Sequence, residues 1–297
     1  MISIKSRREI DIMRRAGDIL ARCFFAVEPV VAEGARTLDI DRVVREFIQK
    51  SNAVPSFLGV KGMVEGAPDY PAGACVSINE EVIHGIPGPR ALRLGDVVSI
   101  DIGVYYNGYH SDMARTFIVG DIGDVGDVGG AGGAGDVGSS GGVGSLSGAG
   151  SSGGAGGTVG ASGLARSLVK VTEESFWIGL RGAAAGKRVD EISRLIQGHV
   201  EAAGYSVVRD YVGHGIGAIM HEPPQIPNYM DRNARRGARL ASGMTLAIEP
   251  MVNAGGYGVE ILPDKWTVVT ADRSLSAHYE NTVLVDGDEP LILSAAI

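Results

Sequence analysis

The sequence predicts an α+β protein made of two related halves. A strong hairpin signal lies in the first half, where strand-like runs flank Asn107-Gly108, a dipeptide typical of two-residue turns because both positions take φ > 0. In each half, two amphipathic helix patterns precede strand-like segments. One helix start, at residues 34–44, is repeated with most positions identical or similar at residues 186–196.

Composition and charge narrow the class of protein. The 297 residues are 44% hydrophobic, which is ample for a core, and the formal net charge of −8 argues against a general nucleic-acid binder. No apolar run is long enough to span a membrane, and the charged N-terminus lacks the hydrophobic core of a signal peptide. Cys23 and Cys75 match no C-x-x-C pattern, which favours reduced thiols in a cytoplasmic protein.

The N-terminal region predicts two helices and then strands. Ser6 and Glu9 form a capping box, apolar residues follow at helical spacing, and Pro29 ends the pattern. A second helix is predicted from Thr37. Strand-like segments then precede the hairpin, at residues 75–78 and 82–84.

A glycine-rich tract separates the halves. Residues 121–163 contain 19 glycines, seven serines and four aspartates, with no Lys, Arg, Pro or aromatic residue. Such a tract cannot bury enough apolar surface to offset its backbone entropy, so we expect a low-complexity insertion. The G-x-G-x-x-G match at residues 130–135 is expected by chance in this composition, since no strand precedes it and no helix follows directly.

The second half repeats the order of the first. Helices are predicted at residues 164–180 and 189–203, followed by strands at 207–212, 244–248 and 282–285. Two amphipathic helix starts can resemble each other by chance, but the matching element order favours a duplicated unit. We therefore expect residues 1–297 to form a single domain with a cleft between its halves.

Five charged or imidazole side chains interrupt apolar strand-like runs: Asp101, Asp112, His214, Glu249 and Glu280. A single charge in such a run usually marks a strand end that meets solvent. Together, four carboxylates and one imidazole suit two divalent metals and favour Mn, Fe, Co or Zn over Ca or Mg. Four carboxylates would also balance the charge of two such ions, which lowers the cost of burying the set.

The order of these residues and the motifs around them resemble the type I methionine aminopeptidases, which share the pita-bread fold with prolidase and creatinase. The motifs are SINEEVIHGIP at 77–87, GHGIG at 213–217, MHEPPQI at 220–226, IEPM at 248–251 and WTVVTADRSLS at 266–276. The resemblance runs from about residue 4 to 293, apart from the glycine-rich tract. It implies two pseudo-two-fold related halves with a curved antiparallel sheet covered by helices.

The resemblance also implies an activity. It is removal of the initiator methionine from nascent proteins, preferentially when the second residue is small, by a water or hydroxide held between two metal ions (Co, Mn, Fe, Zn or Ni). Asp101 would bind one metal, His214 and Glu249 the other, and Asp112 and Glu280 both. Glu249 would also carry a proton to the leaving amine.

Two further histidines match family positions outside the ligand set. His84 and His221 would act on the substrate, one near the scissile nitrogen and the other on the carbonyl. His110 near Asp112 and His278 near Glu280 could border the cleft, and His199 lies in a predicted helix. All three are left out of the predicted site.

The substrate pocket departs from the family pattern. Phe57, Cys75, Met220 and Trp266, together with Met63, are expected to line it. The loop at residues 56–70 is longer than usual and lacks the tyrosines expected near its middle, so we expect weaker or broader selectivity for methionine. The resemblance further implies binding of nascent peptide N-termini, transient association with the ribosome, no membrane or specific nucleic-acid partner, and a monomer.

Three alternatives are less well supported. An X-Pro peptidase of the same fold usually carries an N-terminal domain that this sequence lacks. A catalytically inactive binding protein would be expected to have lost ligands, and all five are present. The type II form usually carries a large helical insertion between the positions of His221 and Glu249, which are close together here.

Overall fold

The computed structural model describes residues 2–62, 64–121, 158–230 and 236–296. The helices in this part of the chain are α1 (Arg7–Val27), α2 (Thr37–Lys50), α3 (Thr158–Leu180) and α4 (Val189–Ala202), with a short 3-10 helix at Glu28–Val30 after α1. The strands are β1 (Val54–Pro55), β2 (Cys75–Ile78), β3 (Glu81–Ile83), β4 (Val97–Tyr106), β5 (Tyr109–Ile118), β6 (Ser206–Val207), β7 (Gly213–Gly215), β8 (Glu222–Ile226), β9 (Thr245–Ile248), β10 (Met251–Asn253), β11 (Val259–Ile261), β12 (Val268–Thr270), β13 (Ser276–His278), β14 (Glu280–Leu284) and β15 (Leu291–Ile292).

One large antiparallel sheet joins the two halves. Its strands lie in the order β1-β4-β5-β14-β9-β7-β8, with β2 added to β4 and β15 added to β14. Because β5 belongs to the first half and β14 to the second, their pairing is the seam between the halves. Two small sheets, β13-β10-β6 and β11-β12-β3, complete the strands.

The predicted hairpin is confirmed. Strands β4 and β5 pair in continuous antiparallel register up to Tyr106 opposite Tyr109. Asn107 and Gly108 form the turn with φ values of 47° and 94°, as a turn with two left-handed positions requires. The capping box at Ser6 is also present, with Glu9 closing it onto the Ser6 backbone N–H.

The duplication is confirmed by matching backbone hydrogen bonds. Gly34 has φ 81° and Gly186 has φ 86°, a region that favours glycine. The N–H of Gly34 donates to the carbonyl of Leu92 at 2.8 Å, and the N–H of Gly186 donates to Leu240 at the same distance. Equivalent turns therefore begin α2 and α4.

Each half has its own core under its helix pair. Helices α1 and α2 bury a cluster that includes Leu20, Ile40 and Ile100, all fully buried. Helices α3 and α4 bury a second cluster around Phe176 and Ile192. Burial of each such side chain contributes about 1.5–3 kcal/mol, so each helix pair is held against the strands of its own half.

The observed elements differ from the predicted ones in two places. Helix α3 begins at Thr158 rather than at residue 164. The strand predicted over residues 207–212 is largely absent: β6 ends at Val207 and β7 begins only at Gly213, in a different sheet, and the exposed pair Arg209 and Asp210 lies in the bend between them.

The glycine-rich insertion falls mainly outside the described residues. Residues 122–157 of the predicted tract are not described, whereas Asp121 at its start forms a two-bond ion pair with Arg166 of α3, both N···O distances being 2.7 Å. None of the helices in the described ranges combines the length and apolar character needed to cross a membrane.

Candidate metal centre

Three adjacent strands bring three of the predicted carboxylates to one face of the sheet. Ala114 of β5 lies opposite Asp101 of β4 on one side and opposite Glu280 of β14 on the other. Residues in register point to the same face, so Asp101 and Glu280 flank the small Ala114 side chain. Asp112 lies two residues before Ala114 and therefore faces the same way.

His214 and Glu249 approach from the second half. His214 pairs with Ala247 of β9, and Glu249 follows the end of that strand. The Nε2 atom of His214 lies 3.4 Å from Oε1 of Glu249, while its Nδ1 lies 2.8 Å from the carbonyl of Gly215. A carbonyl can only accept, so Nδ1 carries the proton in the neutral ring and the lone pair of Nε2 faces the carboxylates, as a metal ligand requires.

The predicted ligands come together. One ligand atom each from Asp112, His214 and Glu280 lies within 4.8 Å of the others, a spacing suited to a shared ion. A second group with the same spacing contains Glu249, His278 and Glu280. Asp101 adjoins these groups through its contact with Asp112.

Without a cation, the buried carboxylates of the candidate centre repel one another and lack hydration. Burial, and then repulsion from neighbouring carboxylates, raises the pKa values of Asp101, Glu249 and Glu280 well above their usual range. Burial raises the pKa of Asp112 to about 7. Among the described residues, Asp101 Oδ1 and Glu280 Oε1 are buried without a hydrogen-bond partner. Divalent ions would both supply the missing partners and remove the repulsion, so the residues fit a metal centre.

His84 is held in a conformation that costs energy. It follows β3 and has φ 60°, in the left-handed region that residues with a Cβ seldom adopt. Its ring lies edge-on to Tyr211 and Trp266, with centroid distances of 5.7 and 6.1 Å. Desolvation lowers the pKa of His84 to about 4, so the ring is neutral at pH 7. Strain of this kind is concentrated at functional sites.

His221 lies at the mouth of the same site. Its ring centroid is 4.4 Å from that of His214, at an interplanar angle of 77°. Although His221 as a whole is exposed, desolvation by the surrounding protein lowers the pKa of its ring below the usual value. The next residue, Glu222, is anchored by a 2.6 Å ion pair with Lys5, which fixes the loop that carries His221.

The predicted pocket residues form one apolar cluster beside the carboxylates. The cluster contains Phe57, Tyr70, Ala72, Cys75, Met220 and Trp266. Cys75 lies in register with Asp101, so the cluster borders the acidic group directly. Met63, also expected to line the pocket, lies outside the described residues.

Tyr70 is a pocket residue that sequence reasoning missed. Its ring packs edge-on against Trp266 with centroids 5.0 Å apart, and its hydroxyl donates to the carbonyl of Gly85 at 2.9 Å. The loop therefore does have a buried tyrosine, at its end rather than near its middle. The residue was visible in the sequence, but only the folded loop brings it against Trp266.

The histidines excluded from the predicted site have different outcomes. His199 contacts Glu174 on the helical surface, and Nδ1 of His110 contacts Oγ of Ser56 at 2.9 Å beside the site. His278, by contrast, is 1% exposed and lies 3.9 Å from both Glu249 and Glu280. The structure therefore places His278 beside the predicted ligands, although it was left out of the predicted site. The available signal in the sequence was its position two residues before Glu280.

Comparison with known proteins places this geometry in a family context. The model of metallopeptidase family M24 matches residues 11–126 and 155–287. The methionine aminopeptidase of Clostridium perfringens is 44% identical over 294 residues, which cover 99% of each chain.

Solved structures give the same picture. The crystal structure of a methionine aminopeptidase from Thermotoga maritima superposes with a TM-score of 0.80 at 35% identity, covering 99% of this chain and all of the other. The prolidase of Pyrococcus furiosus superposes with a TM-score of 0.64 at 20% identity, over 98% of this chain and 65% of its own. The second likeness bears on the fold alone and confirms the pita-bread architecture.

Proposed function

Because this chain belongs to metallopeptidase family M24 and, within it, to the methionine aminopeptidases, we propose that it removes the N-terminal methionine of nascent proteins, preferentially when the second residue is small. The observation that supports this most strongly is the convergence of Asp112, His214 and Glu280 beside the buried pocket of Phe57, Cys75, Met220 and Trp266.

The five acidic and imidazole residues would hold two divalent ions: Asp101, Asp112, His214, Glu249 and Glu280. Co, Mn, Fe, Zn and Ni all suit carboxylate and imidazole ligands, and the residues do not select one of them. Ions bound there would polarise the scissile carbonyl and lower the pKa of water beside it.

The protein side chains supply proton transfer and orientation. Glu249 presents one carboxylate oxygen to His214 at 3.4 Å and has a second oxygen free of that contact, which suits a group that accepts a proton and passes it to the leaving amine. His84 and His221 have lowered pKa values and so present neutral rings. A neutral imidazole can donate one N–H to a developing oxyanion without introducing a positive charge.

The pocket accounts for methionine as the first residue. Phe57, Met220 and Trp266 offer apolar, polarisable surface that suits a thioether. The substrate's free α-amine would lie near the carboxylates, which favours cleavage at a chain terminus. Broader selectivity remains our prediction, since the loop at residues 56–70 departs from the family pattern even with Tyr70 in place.

We propose further that the enzyme works as a monomer in the cytoplasm, where nascent N-termini emerge, and that it meets the ribosome only transiently. A single chain contributes every residue of the site, so catalysis needs no second copy.

Release of methionine from a Met-Ala-Ser peptide tests the activity. Metal-stripped protein should be inactive and should regain activity on titration with at least one of Mn, Fe, Co, Zn and Ni, whereas His199→Gln should behave as the wild type. A Met-Leu-Ser peptide should be cleaved more slowly. No methionine release with any of these metals would reject the proposed function.

Selectivity at the first residue is tested separately. Met-Ala-, Leu-Ala- and Ala-Ala-peptides should differ in kcat/KM by less than about a hundredfold, about the ratio that a single methylene can reach in a close-fitting pocket, because the altered loop is expected to hold the first side chain loosely. A larger preference for methionine would show that Tyr70 and Trp266 restore the selectivity that the altered loop was expected to weaken.

A further inference from the structure

His278 is a buried imidazole without a hydrogen-bond partner for either ring nitrogen in the described structure. The side chain is 1% exposed, and a buried polar group left unpaired destabilises the folded state. The predicted ligand set does not include His278, and the proposed mechanism gives it no role. Its position at the centre of an acidic group therefore calls for a physical explanation.

The backbone holds His278 firmly in place. Thr116 of the first half brackets it, since the His278 N–H donates to Oγ1 of Thr116 at 2.9 Å and that hydroxyl donates to the His278 carbonyl at 2.8 Å. On the other side, His278 pairs in register with Met251 of β10. The ring is thus carried by a part of the sheet that is fixed from both halves.

The ring faces the outer oxygens of two proposed ligands. Nε2 of His278 lies 3.9 Å from Oε2 of Glu249 and 3.9 Å from Oε2 of Glu280. On its opposite edge, Glu249 presents Oε1 to His214 at 3.4 Å. Glu249 is therefore flanked by two imidazoles, one at each carboxylate oxygen.

The two imidazoles have different roles. Nδ1 of His214 contacts a carbonyl, which leaves Nε2 as a lone-pair donor toward a metal. No such contact fixes His278, and a lone pair on its Nε2 would meet the lone pairs of two carboxylates. A proton on Nε2 converts that repulsion into attraction toward both carboxylates. The present distances are about 1 Å longer than a hydrogen bond, and a small rotation of the Glu249 side chain would bring its oxygen within hydrogen-bond distance.

We propose that His278 is a positioning residue: its Nε2–H holds Oε2 of Glu249, and secondarily of Glu280, so that Oε1 of Glu249 stays directed toward His214. This inference rests on the proposed function, in which Glu249 binds metal and moves a proton. Residues that orient metal-binding carboxylates in this way typically contribute 10- to 100-fold to metal affinity or activity.

A matched pair of substitutions tests the proposal. His278→Gln keeps an N–H donor at similar reach, and His278→Met has nearly the same shape as glutamine but no donor. His199→Gln on the helical surface is the control. For each protein, calorimetric titration of metal-stripped protein with Mn²⁺ gives the number and affinity of ions, and Met-Ala-Ser cleavage gives kcat and KM.

We expect His278→Met to bind as many ions as the wild type, with metal affinity or kcat reduced 10- to 100-fold and KM within about threefold of the wild-type value. His278→Gln should bring metal affinity and kcat back to within about fivefold of the wild type. Equal activity and affinity in all variants would overturn the proposal, and so would equal defects in the glutamine and methionine variants. Loss of one bound ion in both variants would instead make His278 a ligand.

The metal titration separates this inference from the proposed function. Inactive wild-type protein would reject the peptidase activity, yet the ion affinities of the two variants would still decide whether the Nε2–H of His278 supports the acidic group. Melting temperatures of the metal-stripped variants show that differences in affinity do not reflect unfolding.

Discussion

At the scale of single residues, the acidic cluster is built to be unstable without cations. Asp112 is 4% exposed, and burial raises its pKa from 3.8 to about 7. The folded metal-stripped protein therefore binds this proton more tightly than the unfolded chain does. The resulting stabilisation is complete below about pH 4 and is lost as the pH rises through about 7.

Asp112→Asn should reveal this effect in metal-stripped protein. Asparagine resembles the protonated carboxyl and does not titrate, so the variant should match the wild type at pH 4 and exceed its free energy of unfolding by about 2–4 kcal/mol at pH 8, as expected for a shift of this size. Urea unfolding in a chelating buffer measures both. With Mn²⁺ present the order at pH 8 should reverse, because the variant loses a ligand. A constant difference across the pH range would contradict the prediction.

His84 should affect catalysis without affecting metal binding. It belongs to neither group of candidate ligands among the described residues. His84→Asn keeps a side chain that tolerates the φ of 60° while removing the imidazole. We expect kcat/KM for Met-Ala-Ser to fall about 100- to 1,000-fold, as for loss of an oxyanion donor.

Calorimetry should find Mn²⁺ affinity in the His84→Asn variant within about threefold of the wild type. His199→Asn serves as the control for a histidine outside the site. Unchanged kcat/KM in His84→Asn would mean that the strained conformation has no catalytic purpose.

At the scale of elements, the β4–β5 hairpin carries two ligands on strands whose register is fixed by its turn. Gly108 has φ 94°, and a Cβ added there would meet nothing within 4 Å. Gly108→Ala should therefore destabilise the protein by about 1–2 kcal/mol through backbone strain alone. Since Asp112 lies roughly 13 Å along the strand at the usual rise per residue, kcat/KM should change by less than about twofold.

Gly198 in α4 is a matched control for the turn. A Cβ at Gly198 also meets nothing within 4 Å, but its φ is not positive. The same substitution there should stabilise the protein by about 0.5–1 kcal/mol, because alanine has the higher helix propensity. Urea unfolding of both variants checks the opposite signs. Equal effects of the two substitutions would show that side-chain volume, rather than backbone conformation, determines the change in stability.

The elements that sequence reasoning predicted well are those with local causes. The turn at Asn107-Gly108 and the capping box at Ser6 depend on residues adjacent in sequence, and both are confirmed. The position of Tyr70 in the pocket depends on a distant segment, because its ring packs against Trp266. The place of His278 two residues before Glu280 was visible in the sequence, but its approach to Glu249 depends on the fold.

At the scale of the whole molecule, the duplication relates two site residues of the first half to two of the second. Gly95 donates to Val119 and Gly243 donates to Val285, both at 2.9 Å, so the two glycines begin equivalent strands. Counting along β4 and β9 from these glycines places Asp101 and Glu249 at equivalent positions. Counting back along the chain from Val119 and Val285, the acceptors of those two bonds, places Asp112 and His278 at equivalent positions. Each half thus contributes a related pair to one cleft.

The seam between the halves is tied by Arg115. Its buried guanidinium donates to the carbonyl of Glu280 at 2.7 Å and to Oδ1 of Asn281 at 2.9 Å, and it lies 4.0 Å over the ring of Tyr279. The same side chain lowers the pKa of Glu280 against the larger effect of burial. Contacts made by folded strands, rather than the connection through the glycine-rich tract, therefore hold the two halves in register.

This arrangement predicts that the tract can be shortened. Arg166 holds Asp121 by two hydrogen bonds of 2.7 Å, and α3 begins at Thr158. At 1.5 Å per residue, the start of α3 lies about 12 Å from Arg166, a span that about eight extended residues exceed. Replacing residues 123–156 with an eight-residue Gly-Ser linker should therefore leave kcat/KM for Met-Ala-Ser within about twofold of the wild type.

The shortened chain should also be slightly more stable. The composition of the tract predicts a flexible insertion, and each halving of such a loop lowers the free-energy cost of closing it by about 0.6 kcal/mol. The shorter linker should therefore raise the free energy of unfolding in urea by about 1 kcal/mol. Arg166→Ala in the shortened chain is the control, because it removes the ion pair to Asp121 while the length of the linker stays the same. A tenfold or greater loss of kcat on shortening alone would mean that the tract contributes to the cleft, because the strands of the seam remain intact in that variant.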